Sequence, residues 1–456
     1  MKKRMYKIMA LAMTAAMVVP MAAQTTAFAA DDKEITYWNI AVESPDKDIV
    51  TAAVDKFNKE TESGYTVNQV AIQNDTYKEK LVIAMSSGEC PDMYSSWSGG
   101  PMYEYIDSGF AQPIDDLLDQ SDVKDKLLDA AIEQGSYKGH VYAIPYMNVV
   151  LAGIFYNKDM FKQYGLEEPK TLADLENICA TLKENGITPF ALANGSKWTG
   201  SMYFMSLAAR YGGLEPFQNA VAGTGKFTDD CFIKAGEKIQ EWVKNGYFPD
   251  GVNSLSEDDG QAKQLLYQET AGMMLGGSFY TGAFQTDSEE FYQKKIGWFP
   301  IPAIDDSDAD PTIQIGTVGD QFICFNCEGD KLAAAFECAA DHLSDEVEDM
   351  IYSTGKIAPV KDAGDHISDP VVKEIFDAAQ EASSIQLWYD QYLPTSVASA
   401  HLDGLQEVFG LTKTPQEAQE EMQTAMDEYL STKSDSGAAD DTAEEATDDA
   451  AADDAE

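Results

Sequence analysis

Between residues 35 and 96 the apolar positions switch repeatedly between a period of two and a period near 3.6. Residues 35–38 (ITYW) and 66–71 (TVNQVA) are short runs rich in β-branched and aromatic side chains, the composition of strands. Between them, residues 48–59 bring Ile49, Ala52, Ala53 and Phe57 onto one helical face. A second helix from about residue 75 aligns Tyr77, Leu81 and Ala84, with Asn74 or Asp75 available as its cap and Gly88 placed for a left-handed C-cap. Met93 and Tyr94 then continue a third strand. This β-α-β-α-β order predicts a parallel sheet covered by helices on both faces, with Trp38, Asp75 and Trp97 converging on the edge formed by the strand C-termini.

Further along, the run 149–156 (VVLAGIFY) is apolar enough for a buried strand entering a second unit. Helical patterns follow at 158–163, at 172–184 between Thr171 and Asn185-Gly186, at 201–211 and at 231–244. Strand-like pieces recur at 271–275, 296–299 and 321–325, and 331–343 has the pattern of a helix. The fold class is therefore α/β. The chain is long enough for two ordinary domains.

The ends change the picture. Residues 1–30 carry Lys2, Lys3, Arg4 and Lys7, then an apolar run, then Ala27-Phe28-Ala29-Ala30, the pattern of a secretory signal peptide. The protein is expected to be exported. Residues 434–456 are acidic and lack aromatic or long aliphatic side chains, so a solvated, disordered tail is expected there. The net charge of −46 at pH 7 excludes a nucleic-acid partner.

The block 77–100, YKEKLVIAMSSGECPDMYSSWSGG, resembles the extracellular solute-binding proteins of ABC sugar importers, the maltose-binding-protein-like cluster, in which a Tyr-x-x-Lys…Ala…Gly-x-x-Pro-Asp run recurs. The segment LWYDQYLP at 387–394 is similar to the raffinose and multiple-sugar-binding type, in which an Asp near an aromatic contacts sugar. The resemblance implies a two-lobe, periplasmic-binding-protein-like fold with an interlobe ligand cleft and a hinge. On that basis, lobe one is expected at 31–146 plus 297–346 and lobe two at 147–296 plus 347–433. It also implies a monomer that captures an oligosaccharide and delivers it to the permease subunits of an ABC transporter, without a cofactor. Relatives in Gram-positive bacteria are anchored through a lipid-modified cysteine at the cleavage point. The first cysteine here is Cys90, which argues against such an anchor.

A pyranose has an apolar C–H face and a polar rim, so it needs flat aromatic platforms beside hydrogen-bonding groups. Aromatic residues in turn contexts supply the first: Trp38 before Asn39, Trp97, Tyr146, Trp198, Phe279 with Tyr280, and Trp388 with Tyr392. Asp75, Asn148, Asp320, Asp390 and Gln391 are the polar candidates. An ionised carboxylate can accept from two neighbouring hydroxyls. Trp388→Ala and Asp390→Ala are each expected to weaken binding by at least about tenfold with little effect on melting.

Other chemistry is weakly supported. Cys324-x2-Cys327 with Cys338-x3-His342 imitates a zinc set, but Cys324 alternates as a strand residue and Cys338 lies on an apolar helix face, so no metal is expected. Asp306, Asp308 and Asp310 begin like a calcium loop, but Pro311 and Thr317 stand where Gly and Glu are needed. Two alternatives remain open at this level. A secreted glycoside hydrolase would need a carboxylate pair at defined separation, and nothing singles out one among 78 acidic residues. A polyamine-binding version of the same fold would use Asp320 and Asp390 without needing so many aromatics.

Overall fold

The computed structural model describes residues 33–448, so the signal segment expected at 1–30 and positions 449–456 lie outside the described residues. The architecture is α/β with two sheets. The first has the order Thr66–Ala71 (β2), Glu34–Asn39 (β1), Met93–Ser96 (β3), Gln321–Phe325, Ala143–Tyr146. β1 pairs in parallel with β2 and β3, while Gln321–Phe325 runs antiparallel to both of its neighbours. The second sheet has Val150–Asn157 at its centre, flanked by Ala271–Gly277, Gln314–Thr317 and Ile296–Phe299, with Thr188–Phe190 and Ile385–Gln386 further out.

Local sequence accounts for the elements around the first sheet. Asp46–Glu60 (α1) buries Ile49, Val50, Ala53, Val54 and Phe57 along one stripe. Asn74–Ser87 (α2) ends on Gly88 at φ +74°, whose N–H returns to Ala84 and Met85 carbonyls, a left-handed cap that a Cβ would disfavour. Its N-cap is Gln73, one residue before the expected Asn74 or Asp75. Leu172–Glu184 begins with a reciprocal Thr171–Asp174 capping box.

Packing joins the two sheets. Val150–Asn157 is buried throughout, and its alternate residues serve different cores. Leu151 and Phe155 belong to an apolar cluster that also holds Ile35, Phe57, Met147, Phe284, Trp298 and Ile357. Ile154 and Tyr156 belong to a second cluster with Phe190, Tyr203, Trp242 and Phe409. Burying each such Ile, Leu or Phe side chain contributes about 1.5–3 kcal/mol. Gly153, between Leu151 and Phe155, leaves room for Trp298: a Cβ there would stand 2.2 Å from the indole.

The sheet memberships correct the expected lobe boundaries. Residues 297–317, assigned above to lobe one, supply all but the first residue of Ile296–Phe299 and the whole of Gln314–Thr317, both hydrogen-bonded to Val150–Asn157 in lobe two. The helix Asp345–Ser353, expected largely in lobe two, packs its Val347 and Ile351 into the cluster around α1. The reason is strand pairing: these segments follow their hydrogen-bond partners, which hydropathy does not reveal. The helix Pro415–Asp448 also continues beyond residue 433, so helix is assigned to 434–448 where disorder was expected. Ala and Glu are good helix formers, consistent with that extension. Among the described residues, no helix is long and apolar enough to cross a membrane.

Candidate functional site

Where the two lobes face each other lies a cavity of about 970 Å³. Its lobe-one wall is built at the C-terminal ends of strands: Glu43 and Asp46 after β1, Gln73, Asn74 and Lys78 after β2, and Trp97 after β3. Asp320 and Gln321 join them from the strand that returns next to β3. This is the position where open α/β sheets place ligands. Lobe two supplies Trp198 at the start of the Trp198–Gly212 helix, Phe279 and Tyr280 after Ala271–Gly277, the turn 257–260, and Trp388, Asp390 and Gln391.

The aromatic surface is formed chiefly by half-buried rings. Trp198 and Phe279 meet edge to face with centroids 6.0 Å apart, and Trp97 meets Tyr77 at 6.1 Å. The Trp198 Nε1 donor is buried without a partner. Trp388 is 3 % exposed and belongs mostly to the lobe-two core, so little of its ring is open to the cleft. Tyr280 is likewise buried and lies beneath Glu257.

Three interactions fix the polar groups. Tyr146, fully buried, donates its hydroxyl hydrogen to Gln321 Oε1 at 2.7 Å and itself accepts from Tyr37 at 3.2 Å. Lys78 Nζ stands 3.7 Å from Asp390 Oδ2 and 4.8 Å from the centre of the Trp97 ring, joining a lobe-one helix to the late lobe-two segment. The Asp75 backbone N–H, in the first turn of α2, donates to Asp258 Oδ2 at 3.2 Å, where the helix dipole favours a carboxylate. Burial pushes the carboxyls of Glu257 and Asp320 up to about 8 and about 7, Lys356 opposing the shift at Asp320. Burial also raises Asp390, against the pull of Lys78.

Eight of the sequence-predicted residues line this cavity: Trp97, Trp198, Phe279, Tyr280, Asp320, Trp388, Asp390 and Gln391. The other six do not. Trp38 is inside β1, where the period of two turns it toward the cluster of Tyr77 and Tyr94 on the far side of the sheet. Asn39 is fully buried and its Oδ1 accepts from Ala41 N–H at 3.0 Å, a local turn bond. Asp75 presents its backbone to Asp258, while its carboxylate accepts from Asn74. Tyr146 stands behind Gln321, and Tyr392 packs against Phe217.

Asn148 lies at the crossing between lobes. Its carbonyl accepts from Asp320 N–H and its Oδ1 from Ile357 N–H, both at 2.8 Å, tying three interlobe segments together. Beside it, Met147 is buried at φ +81°, a conformation L residues rarely adopt. Sequence reasoning missed Glu43, Lys78, Glu257, Asp258, Lys263 and Asp287. The acidic, glycine-ended turn 256–260 was a usable signal for two of them. Among the described residues, no group of His, Cys, Asp or Glu is arranged to hold a metal, and the six cysteines are unpaired. Cys324 and Cys338 are core residues, and the Cys338 carbonyl lies 3.0 Å from His342 Nδ1.

Comparison with known proteins places this geometry in context. A structure from a study of xylan utilization by the thermophilic bacterium Caldanaerobius polysaccharolyticus superposes with a TM-score of 0.78 at 29 % identity, covering 86 % of this chain and 99 % of that one. A chitin oligosaccharide binding protein superposes at 0.79 with 23 % identity, covering 87 % and 98 %, a likeness of fold. An uncharacterized ABC transporter extracellular-binding protein of Pyrococcus horikoshii is 31 % identical over 229 residues, 50 % of this chain and 50 % of the relative. The chain thus spans about half the length of that curated relative. Residues 41–337 match the family described as bacterial extracellular solute-binding protein, and this chain belongs to that family.

Proposed function

We propose that the protein captures an oligosaccharide in the interlobe cleft and hands it to the permease subunits of an ABC importer. The observation that carries this reading is the meeting, in one cavity, of the half-buried rings of Trp97, Trp198, Phe279 and Tyr267 with carboxylates and the Gln321 amide. Stacking faces beside acceptors suit linked pyranose or pentose rings. The cavity stands at the upper end of the usual few-hundred to about 1,000 Å³ range, which favours several rings over one. Ligand bridging the lobes would favour the closed form, the signal read by a permease. In this reading the exported protein acts as a monomer.

The relative from the xylan-utilization study is similar over nearly its whole length, which puts xylo-oligosaccharides first among candidates. A thermal-shift screen of the exported protein against xylo-, malto-, manno- and α-galacto-oligosaccharides, with spermidine as a control, tests the reading. Selective stabilisation by one oligosaccharide series is expected. A shift with spermidine alone would sink the carbohydrate assignment. Chromatography of the incubated sugar separates binding from hydrolysis: a binding protein returns it intact.

A further inference from the structure

The charge lining the cleft is unbalanced, and the imbalance is not neutralised from within. Eight carboxylate side chains line it against two ammonium groups, Lys78 and Lys263. Both ammonium groups are already engaged. Lys78 faces Asp390 at 3.7 Å, and Lys263 Nζ donates to Asp287 Oδ2 at 2.9 Å. Behind the lobe-one wall, buried Lys356 is held by Asp46. Asp258 accepts from the first turn of α2.

Glu257 and Asp320 differ from these. Glu257 is 9 % exposed, the Tyr280 side chain lies close enough to pull its pKa down, and among the described residues its Oε2 has no hydrogen-bond partner. Asp320, from the opposite lobe, feels the charge of Lys356, but among the described residues its carboxyl receives no hydrogen bond. Each wall therefore carries one carboxyl that lacks a hydrogen-bond donor, and that of Glu257 is buried as well.

We propose that the cleft sorts saccharides by charge, taking an oligosaccharide that carries a protonated amino group in preference to its neutral counterpart and rejecting one that carries a carboxylate. This rests on the carbohydrate reading above and names the substrate class within it. A sugar hydroxyl satisfies an acceptor but leaves the excess of acidic groups along the cleft uncompensated, whereas an ammonium supplies both donors and charge. A ligand carboxylate would meet the acidic wall with both lining lysines occupied, a repulsive element of the kind that sets specificity. Burial keeps the Glu257 carboxyl protonated near neutral pH, with Tyr280 and Lys263 lowering its pKa and Asp258 and Asp75 raising it. An arriving ammonium favours its ionised form.

The test is calorimetric titration of the exported protein with two matched pairs and one control. The pairs are the glucosamine tetramer against its N-acetylated form, and xylotetraose against its glucuronosyl-substituted form; spermidine is the control. The amine is expected to bind at least about tenfold tighter than its acetylated partner, and the uronate at least about tenfold weaker than xylotetraose. Glu257→Gln and Asp320→Asn should shrink the first ratio to about threefold or less. Should either variant fail to fold, the unmodified protein still decides: raising salt from about 20 mM to about 500 mM should narrow the second ratio.

Neutral sugars binding with equal affinity across both pairs overturns charge sorting and leaves the carbohydrate reading standing. Spermidine binding with no sugar bound sinks the carbohydrate reading and keeps the preference for amines. No binding by any of the five overturns charge sorting, and the carbohydrate reading is then decided by the wider thermal-shift screen.

Discussion

Gly99 of lobe one lies so close to Gln391 of lobe two that a Cβ on the glycine would stand 2.2 Å from the glutamine carbonyl oxygen. The neighbouring Gly100 meets the Leu393 carbonyl at the same separation, and Glu104 accepts from Thr395 N–H at 3.0 Å, bonding to the first residue of the helix Thr395–Phe409. The Ser-Gly-Gly turn that carries Trp97 is therefore seated on the segment that carries Asp390. Gly99, at φ +119°, also has a backbone that only glycine adopts readily. Gly99→Ala should cost about 1–3 kcal/mol of stability and weaken oligosaccharide binding, because both walls shift. Unchanged melting and unchanged Kd would show that this contact does not position the site.

Gln321 is oriented from behind. Its Oε1 is held by the Tyr146 hydroxyl at 2.7 Å, which leaves the amide nitrogen to face the cleft. Tyr146→Phe should leave that buried acceptor unpaired at about 1–3 kcal/mol and reduce affinity severalfold. Gln321→Glu keeps the bond to Tyr146 but removes the donor, so it should reduce affinity with less loss of stability. Calorimetric titration and thermal melting of both variants check this split, and equal stability losses would contradict it.

Trp388 and Asp390 separate on the same measurement. Trp388 is core, so Trp388→Ala should destabilise by about 3–5 kcal/mol, contrary to the expectation from sequence that melting would hardly change. Asp390→Asn keeps the shape and removes the partner of Lys78, and a drop in affinity of about tenfold with near-normal melting is expected. A large loss of stability in Asp390→Asn would reassign that residue to the scaffold.

Stability should pass through a maximum with pH. Glu257 has a folded pKa raised to about 8 from an unfolded value of 4.5, so its contribution is fully present below 4.5 and is lost as pH rises toward 8. His342 and His401 are buried and neutral, with folded pKa values lowered by burial to about 4 and about 3 from 6.5. Their contribution is fully present above 6.5 and is lost as pH falls through those values. Glu257→Gln should flatten the alkaline limb only. Melting temperatures of the two proteins from pH 4 to 9 check it, and parallel curves would refute the assignment.

Elements specified by nearby residues were legible in the sequence, and arrangements specified by distant ones were not. The capping box at Thr171 and the glycine stop at Gly88 are local, and both helices ended where expected. The placement of 297–317 depended on pairing with Val150–Asn157, more than a hundred residues away, so family resemblance misassigned it. Trp38 does not line the cavity because pairing with Val70 and Tyr94 on the two neighbouring strands keeps it within the pleat of β1. Glu257 and Asp258 are two among 78 acidic residues, marked only by the glycine-ended turn that holds them. Their role arises only when the turn that holds them meets α2 from the other lobe.

The apolar cluster that runs from Ile35 and Phe57 through Met147 and Ile357 to Phe155 and Trp298 has a consequence for how the molecule comes apart. Two lobes joined only by solvated linkers would melt as separate cooperative units, each with its own transition. Here the near face of the second sheet shares its interior with the first lobe, so opening one exposes the other. Calorimetry should record a single endotherm whose calorimetric and van't Hoff enthalpies agree. Domain opening and domain unfolding would then be distinct events: a swing of the cleft on its crossing segments would leave this shared interior intact, while unfolding of either half would expose the other.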